Sequence, residues 1–292
     1  MEDRKMPDSI DTLFVQQYRN TMIILSQQRR SRLEGTTIPP IDVRGEYFYW
    51  ERIGATEAID LDTRHDDTPN IEQDHSRRRA TAQPKVWATL LDRPDQARML
   101  VNPLNYYNQV GMSAMLRAKD RIIIAALEGS AWAGKEGTIE VALPAAQKID
   151  AGGVGLTVAK ILAAKETMDE AEVDPDLPRY FVTSAHQVTN MLGTTEITSS
   201  DYNTVKALAA GQINSFCGFE FIRTQLLTLS AGTRYCYAYA KGAIGFGVLG
   251  DIVAELDRRI DKNYAWQPYL SMDMGATRVE DEQVVQVGCT EA

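Results

Sequence analysis

The chain of 292 residues is long enough for one large domain or two smaller ones, and with 44% apolar and 24% charged residues it can bury a sizeable core. Lys plus Arg number 31 against 40 for Asp plus Glu, a net charge of −9 that argues against a general DNA-coating protein with a basic binding face. Three scattered cysteines, Cys217, Cys236 and Cys289, do not make a disulfide framework and suit a reducing compartment. No run approaches about 18 apolar residues, and Met1 to Pro7 is charged, so neither a membrane span nor a signal peptide is expected.

Ile10, Leu13, Phe14, Thr21, Met22 and Leu25 recur at helical spacing behind Asp8 or Ser9 as a cap, predicting a first helix. It ends in Arg29, Arg30 and Arg32, cations that suit a helix C-terminus. Gly45 to Trp50 is aromatic and strand-favouring, and Val86 to Leu91 is a second such run. Between them lies a polar stretch, Asp60 to Arg79, so the two runs predict a long hairpin or an extended excursion, with arms of ~15–20 residues reaching roughly 50–60 Å. An isolated ribbon of two strands is only marginally stable in water, which makes a neighbouring subunit the expected support.

Asn102 and Pro103 open the clearest helix, 102–128, closed by Gly129. Its stripe is Tyr107, Val110, Gly111, Ala114, Met115, Ala118, Ile122, Ala125 and Ala126, and some 26 residues make a rod of roughly 40 Å. A glycine-bearing turn, Gly129 to Gly137, leads to a short strand at Ile139 to Leu143. Beyond Gly152-Gly153 the pattern is mixed: a helix over 155–172, a buried strand at Arg179 to Thr183, a short helix capped by Ser184, and another between Asp201 and Gly211. Strands follow at Phe219 to Ile222 and Tyr235 to Tyr239, and the tail from 251 to 289 reads as antiparallel strands.

Arg64-His65-Asp66-Asp67 with Asp74-His75 contains metal-ligand residue types, but its spacing fits no common site and it lacks apolar framing. Salt bridges on an extended loop are the better reading. Arg77-Arg78-Arg79, crowded by Asp66, Asp67, Glu72 and Asp74, suits protein–protein ion pairing better than phosphate. Cys217, with His186 as a conceivable base, reads as a packed small hydrophobe in Ser-Phe-Cys-Gly-Phe. The glycines around Lys135 make no P-loop, because Glu136 follows where Ser or Thr would be needed. No catalytic constellation, cofactor motif or metal motif emerges, so a non-enzymatic role is expected.

Arg52-Ile53-Gly54, Arg64-His65-Asp66-Asp67-Thr68-Pro69, His75-Ser76-Arg77-Arg78-Arg79, Asp92-Arg93-Pro94-Asp95, Asp120-Arg121-Ile122-Ile123 and the Gly129 to Gly137 turn resemble a recurring set in a phage capsid family. With the order of segments, the chain resembles the major capsid proteins of tailed bacteriophages, which have the Hong Kong 97 type fold. The resemblance implies an α+β fold with 1–35 as an N-terminal arm, 36–92 as an extension loop, and 93–152 as a peripheral domain with its spine helix. It implies 153–248 as an axial domain and 249–292 as the return to the peripheral sheet. It further implies pentamers and hexamers closing into an icosahedral head around double-stranded DNA, assembled in the bacterial host cytoplasm. Partners would be a separate scaffolding protein, a portal and decoration proteins, with no membrane. Arg64, Asp66, Asp67, Asp74, Arg77, Arg78 and Arg79 are the expected contacts between subunits, and Arg78→Glu is expected to block assembly while the subunit still folds. An encapsulin-like compartment shares the fold, and a metal-dependent hydrolase using His65 and His75 is the alternative from another class.

Overall fold

The computed structural model describes residues 24, 26–40, 42–60, 70–92, 104–192 and 215–291. The expected helix over Ile10 to Leu25 and the one capped by Asp201 lie outside the described residues. Contacts divide the chain into two compact units: 1–29, 86–115 and 252–271 in one, 30–85, 116–251 and 272–292 in the other.

The larger unit holds two sheets. In the first, β1 (Asp42–Arg44) turns through Gly45, at φ +60, into β2 (Tyr47–Ile53). β2 pairs antiparallel along its whole length with β3 (His75–Thr81), from Tyr47 opposite Thr81 to Ile53 opposite His75. β5 (Ala131–Ala133) and β6 (Ile139–Val141) complete the order β1-β2-β3-β5-β6. The returning arm of the hairpin is therefore β3, not the Val86 run. That run belongs to β4 (Gln83–Ala88), in a separate sheet ordered β13-β14-β4 with β13 (Ile244–Arg259) and β14 (Ala265–Arg278). Alternation explains the choice: Arg78 and Ala80 lie opposite Trp50 and Phe48, and all four are buried on one face. Each arm has seven residues and is about 23 Å long, and β5 pairs with β3 at Arg78 and Arg79, so the same chain gives the inner part of the ribbon a third strand.

Phe48 and Trp50 form a cluster with Ala80 and Val279, the two rings 6.3 Å apart. Gly245 admits the indole: a Cβ there would lie 2.2 Å from Trp50 Cε2. Burying each such ring stabilises by about 2–3 kcal/mol.

The other sheet runs β7 (Lys148–Ile149), β15 (Val284–Thr290), β12 (Thr233–Ala240), β8 (Arg179–Thr183), β10 (Phe219–Arg223), β9 (Ser215–Phe216), with β11 (Leu229–Ser230) on β12. β8 is buried at every position because β10 flanks it in parallel and β12 antiparallel, as its continuous apolar run predicts. Phe181 packs its ring 5.9 Å from Phe219 and 5.2 Å from Phe221. The last strand, β15, pairs with β12 over seven positions, so the tail divides between this sheet and that of β13 and β14.

Three α-helices are described: α1 (Leu104–Glu128), α2 (Val158–Glu170) and α3 (Ala185–Leu192). Thr157 caps α2, its hydroxyl accepting from the Lys160 N–H at 3.4 Å, and the Ser184 hydroxyl accepts from the Gln187 N–H at the start of α3. The second half of α1 is buried around much of its girth, at Lys119, Asp120, Ile122, Ile123, Ile124 and Leu127, whereas Ala125 of the expected stripe is exposed. Asp120, fully buried, accepts from the Ser31 hydroxyl at 2.6 Å and from the N–H groups of Arg32 and Leu33 at 3.1 and 3.2 Å. A carboxylate on this helix thus ties down the segment after Arg30 with charge-assisted bonds.

In the smaller unit, Gly111 of α1 lies under Trp87 and Leu270; a Cβ there would come within 2.5 and 2.6 Å of them. Leu91 and Trp266 exchange backbone hydrogen bonds at 2.8 and 3.0 Å, and the Arg258 guanidinium lies 4.2 Å from the Trp266 ring.

Candidate assembly surface

Three consecutive arginines on a strand cannot share one environment, because successive side chains point to opposite faces. Arg77 and Arg79 lie outward over the rings of Tyr49 and Tyr47, at 5.0 and 4.5 Å, and Arg78 lies inward with 4% exposure. Arg77 also pairs with Glu51, its cross-strand partner. Arg79 donates to the carbonyl of Glu136 at 2.8 Å, passing over Gly137, where a Cβ would collide with its guanidinium stem.

Arg78 meets Asp281 at 2.6 Å, and the same carboxylate takes Arg278 Nε at 2.7 Å. Arg278 is fully buried and donates to the carbonyls of Leu127, Gly129 and Val141, so it also satisfies the C-terminal end of α1. Burial pushes the Arg78 guanidinium below its ordinary value, an effect Asp281 partly offsets. Arg78 Nε and Nη1 are buried without a hydrogen bond among the described residues, so Asp281 carries the pairing. Charge reversal at Arg78 would set two carboxylates together in this buried site, so the expectation that Arg78→Glu leaves the subunit folded is corrected.

Around Arg77 the outer face opens into a cleft of about 490 Å³ lined by Glu51, Arg52, His75, Ser76, Arg77, Gly134 and Lys135. Arg52 is held by the Val279 carbonyl at 2.7 Å and the Ser76 hydroxyl at 3.0 Å. Exposed Ile53 and Ile139 belong to the same sheet, Ile53 directly opposite His75. Asp74 is exposed, one residue before β3, and its carbonyl accepts from the Gly54 N–H at 2.8 Å. Arg64, Asp66 and Asp67 lie outside the described residues, as does His65. The structure therefore brings Arg77, His75 and Arg52 into one cleft and separates Arg78 from them. Asp281, Arg278 and Glu51 escaped the sequence reading, and Lys135 was weighed there only as a phosphate-loop lysine. Glu51 and Lys135 had a local signal, Glu51 between the marked strand Gly45 to Trp50 and the Arg52-Ile53-Gly54 motif, and Lys135 within the glycine-bearing turn.

Among the described residues no group of three or more His, Cys, Asp or Glu could hold a metal ion, and no helix is long and apolar enough to cross a membrane. Cys217 is not the packed hydrophobe expected: it sits half-exposed in the two-residue turn between β9 and β10, at φ +52 with Gly218 at φ +86. His186 contacts Asn190, one turn along α3.

A family model described as phage capsid protein matches residues 10–291. Among solved structures, the capsid of the cyanophage P-SCSP1u is similar at 13% identity and a TM-score of 0.72, covering 98% of this chain and 96% of that one. The capsid of Ralstonia phage GP4 is similar at 9% identity and 0.73, covering 95% of each chain, and a chain of Mycobacterium phage Che8 at 16% and 0.66, covering 98% of each. No curated protein sequence matches the chain.

Proposed function

The chain belongs to the phage capsid protein family and is a major capsid subunit with an α+β fold of the Hong Kong 97 type, and from that premise we propose how it builds a shell. Copies associate as pentamers and hexamers that close into an icosahedral head around double-stranded DNA, inside the bacterial host cytoplasm. The role is architectural rather than catalytic, and a separate scaffolding protein and a portal complete the assembly. Residues 1–35 act as the arm, 36–92 as the extension loop, 93–152 and 249–292 as the peripheral domain, and 153–248 as the axial domain. The observation that carries this reading is the family match over 10–291.

Contacts between subunits fall on the outward charges of the hairpin: Arg77, Arg79 and Asp74, with Arg64, Asp66 and Asp67 from the connecting stretch. Arg78 contributes indirectly, by holding β3 against Asp281. Ion pairs of this kind set register and partner choice more than affinity. A net charge of −9 also lets packaged DNA move past the inner wall without adhering.

Sedimentation velocity with negative-stain microscopy tests the reading. Discrete species of five or six 32.5 kDa chains, about 160–200 kDa, or closed particles of several megadaltons, are expected. Protein that stays at 32.5 kDa at every concentration, with and without a scaffolding protein, refutes it.

A further inference from the structure

We propose that the outer half of β13 of one copy docks into the Arg52–Arg77–Lys135 cleft of a second copy, its acidic face against the basic lining. The proposal deepens the shell reading and rests on it. The observations come from both surfaces. Every residue from 253 to 264 is exposed, including Val253, Leu256, Ile260 and Tyr264 at 47, 43, 73 and 53%. β13 is the edge strand of its sheet, so its outer half offers a ladder edge as well as apolar side chains. An exposed strand of this composition is a template for another chain unless it is covered.

The charges identify the cover. Arg259 pairs with Asp261, and Arg258 stacks on Trp266. Glu255 and Asp257 alternate with Val253 on one face of the strand, and neither makes an ion pair or hydrogen bond among the described residues. The free charge on this face is therefore negative. The cleft lining holds Arg52, Arg77 and Lys135 against one carboxylate, Glu51, which pairs with Arg77; Glu280 acts on Arg52 from beyond the lining, and Lys135 has no charged partner among the described residues. Exposed Ile53 and Ile139, at 64 and 59%, flank that sheet as Val253 and Leu256 do the strand. Two chains of net charge −9 repel at long range, so a basic cleft is a place where an acidic face of another copy gains attraction. The two surfaces are different patches of one chain. Such a head-to-tail contact closes into rings when the rotation allows it, which is what pentamers and hexamers require.

The test uses the full chain with Cys217→Ser, Lys135→Cys and Glu255→Cys, oxidised by copper phenanthroline under assembly conditions. A control carries Lys135→Cys with Glu170→Cys, also exposed. Reductant-sensitive multimers at least about fivefold above the control support docking. Rings or particles in the microscope with crosslinking no higher than the control overturn the docking and leave the shell reading intact. Monomers without crosslinks at every concentration overturn both. As a second measurement, Glu255→Lys with Asp257→Lys is expected to raise the concentration for assembly about tenfold, and adding Lys135→Glu to restore it. Unchanged assembly in the first variant, or no restoration in the second, overturns the pairing.

Discussion

Replacing Asp281 by alanine is the sharpest test of how the β2–β3 hairpin is held to its own subunit. The carboxylate sits 2.6 Å from Arg78 and 2.7 Å from Arg278, with side-chain exposures of 11, 4 and 0%. At an effective dielectric of about 20, two unit charges ~4 Å apart attract by about 4 kcal/mol, and burial of all three groups offsets much of that gain. The net worth of the intact triad is therefore small. Removal of the anion is different, because two guanidinium groups then remain buried beside each other without a counter-charge. Loss of one partner of a buried pair costs about 3–5 kcal/mol, a large part of the ~5–15 kcal/mol by which a domain is stable. Glu51→Ala provides the contrast: it removes a 53% exposed carboxylate from Arg77 and is expected to cost no more than about 1 kcal/mol. Urea unfolding followed by tryptophan fluorescence, at concentrations below assembly, reports both, since Trp50 stands opposite Arg78. An Asp281→Ala midpoint corresponding to less than about 1 kcal/mol, or a Glu51→Ala loss as large as that at Asp281, refutes the buried triad.

Two further outcomes are expected. Burial holds the Tyr237 and Tyr239 phenols well above their ordinary value, despite hydrogen bonds with Gln286 and Thr36. Below the unfolded value of about 10 these groups do not alter stability; above it the unfolded chain ionises first, so each withdraws about 1.4 kcal/mol per pH unit. Thermal melts of the native chain and Tyr239→Phe from neutral to alkaline pH check this, and an identical alkaline slope in both contradicts it. Cys217→Asn places a residue that tolerates left-handed backbone at φ +52 before Gly218, and is expected to stabilise by up to about 1 kcal/mol. A lower melting temperature for that variant would show that the Cys217 side chain contributes more than its backbone strain.

Local rules were enough for α1, α2 and α3, for β8 and for β12, because capping, helical spacing and continuous apolar runs act over a few residues. The ordered motifs between residues 50 and 140 were enough for the family, and the match over 10–291 agrees. The hairpin was only half legible. Its first arm declared itself through Tyr47 to Trp50, but β3 carries three arginines and one alanine, and looked solvated until paired. The part each arginine plays was beyond reach of the sequence. Strand alternation requires Arg77 and Arg79 to share a face and Arg78 to take the other, yet which face is buried depends on register with β2 and on Asp281, 203 residues away. The same holds for Asp120 and Arg278, whose partners come from distant segments. Sequence by itself determined the helices α1 to α3, the strands β8 and β12, the family and the first arm of the charged hairpin; tertiary structure decided where the second arm lies and which of its charges are buried against the subunit and which stay exposed, because a buried ion pair is a property of two segments that meet only in the folded chain.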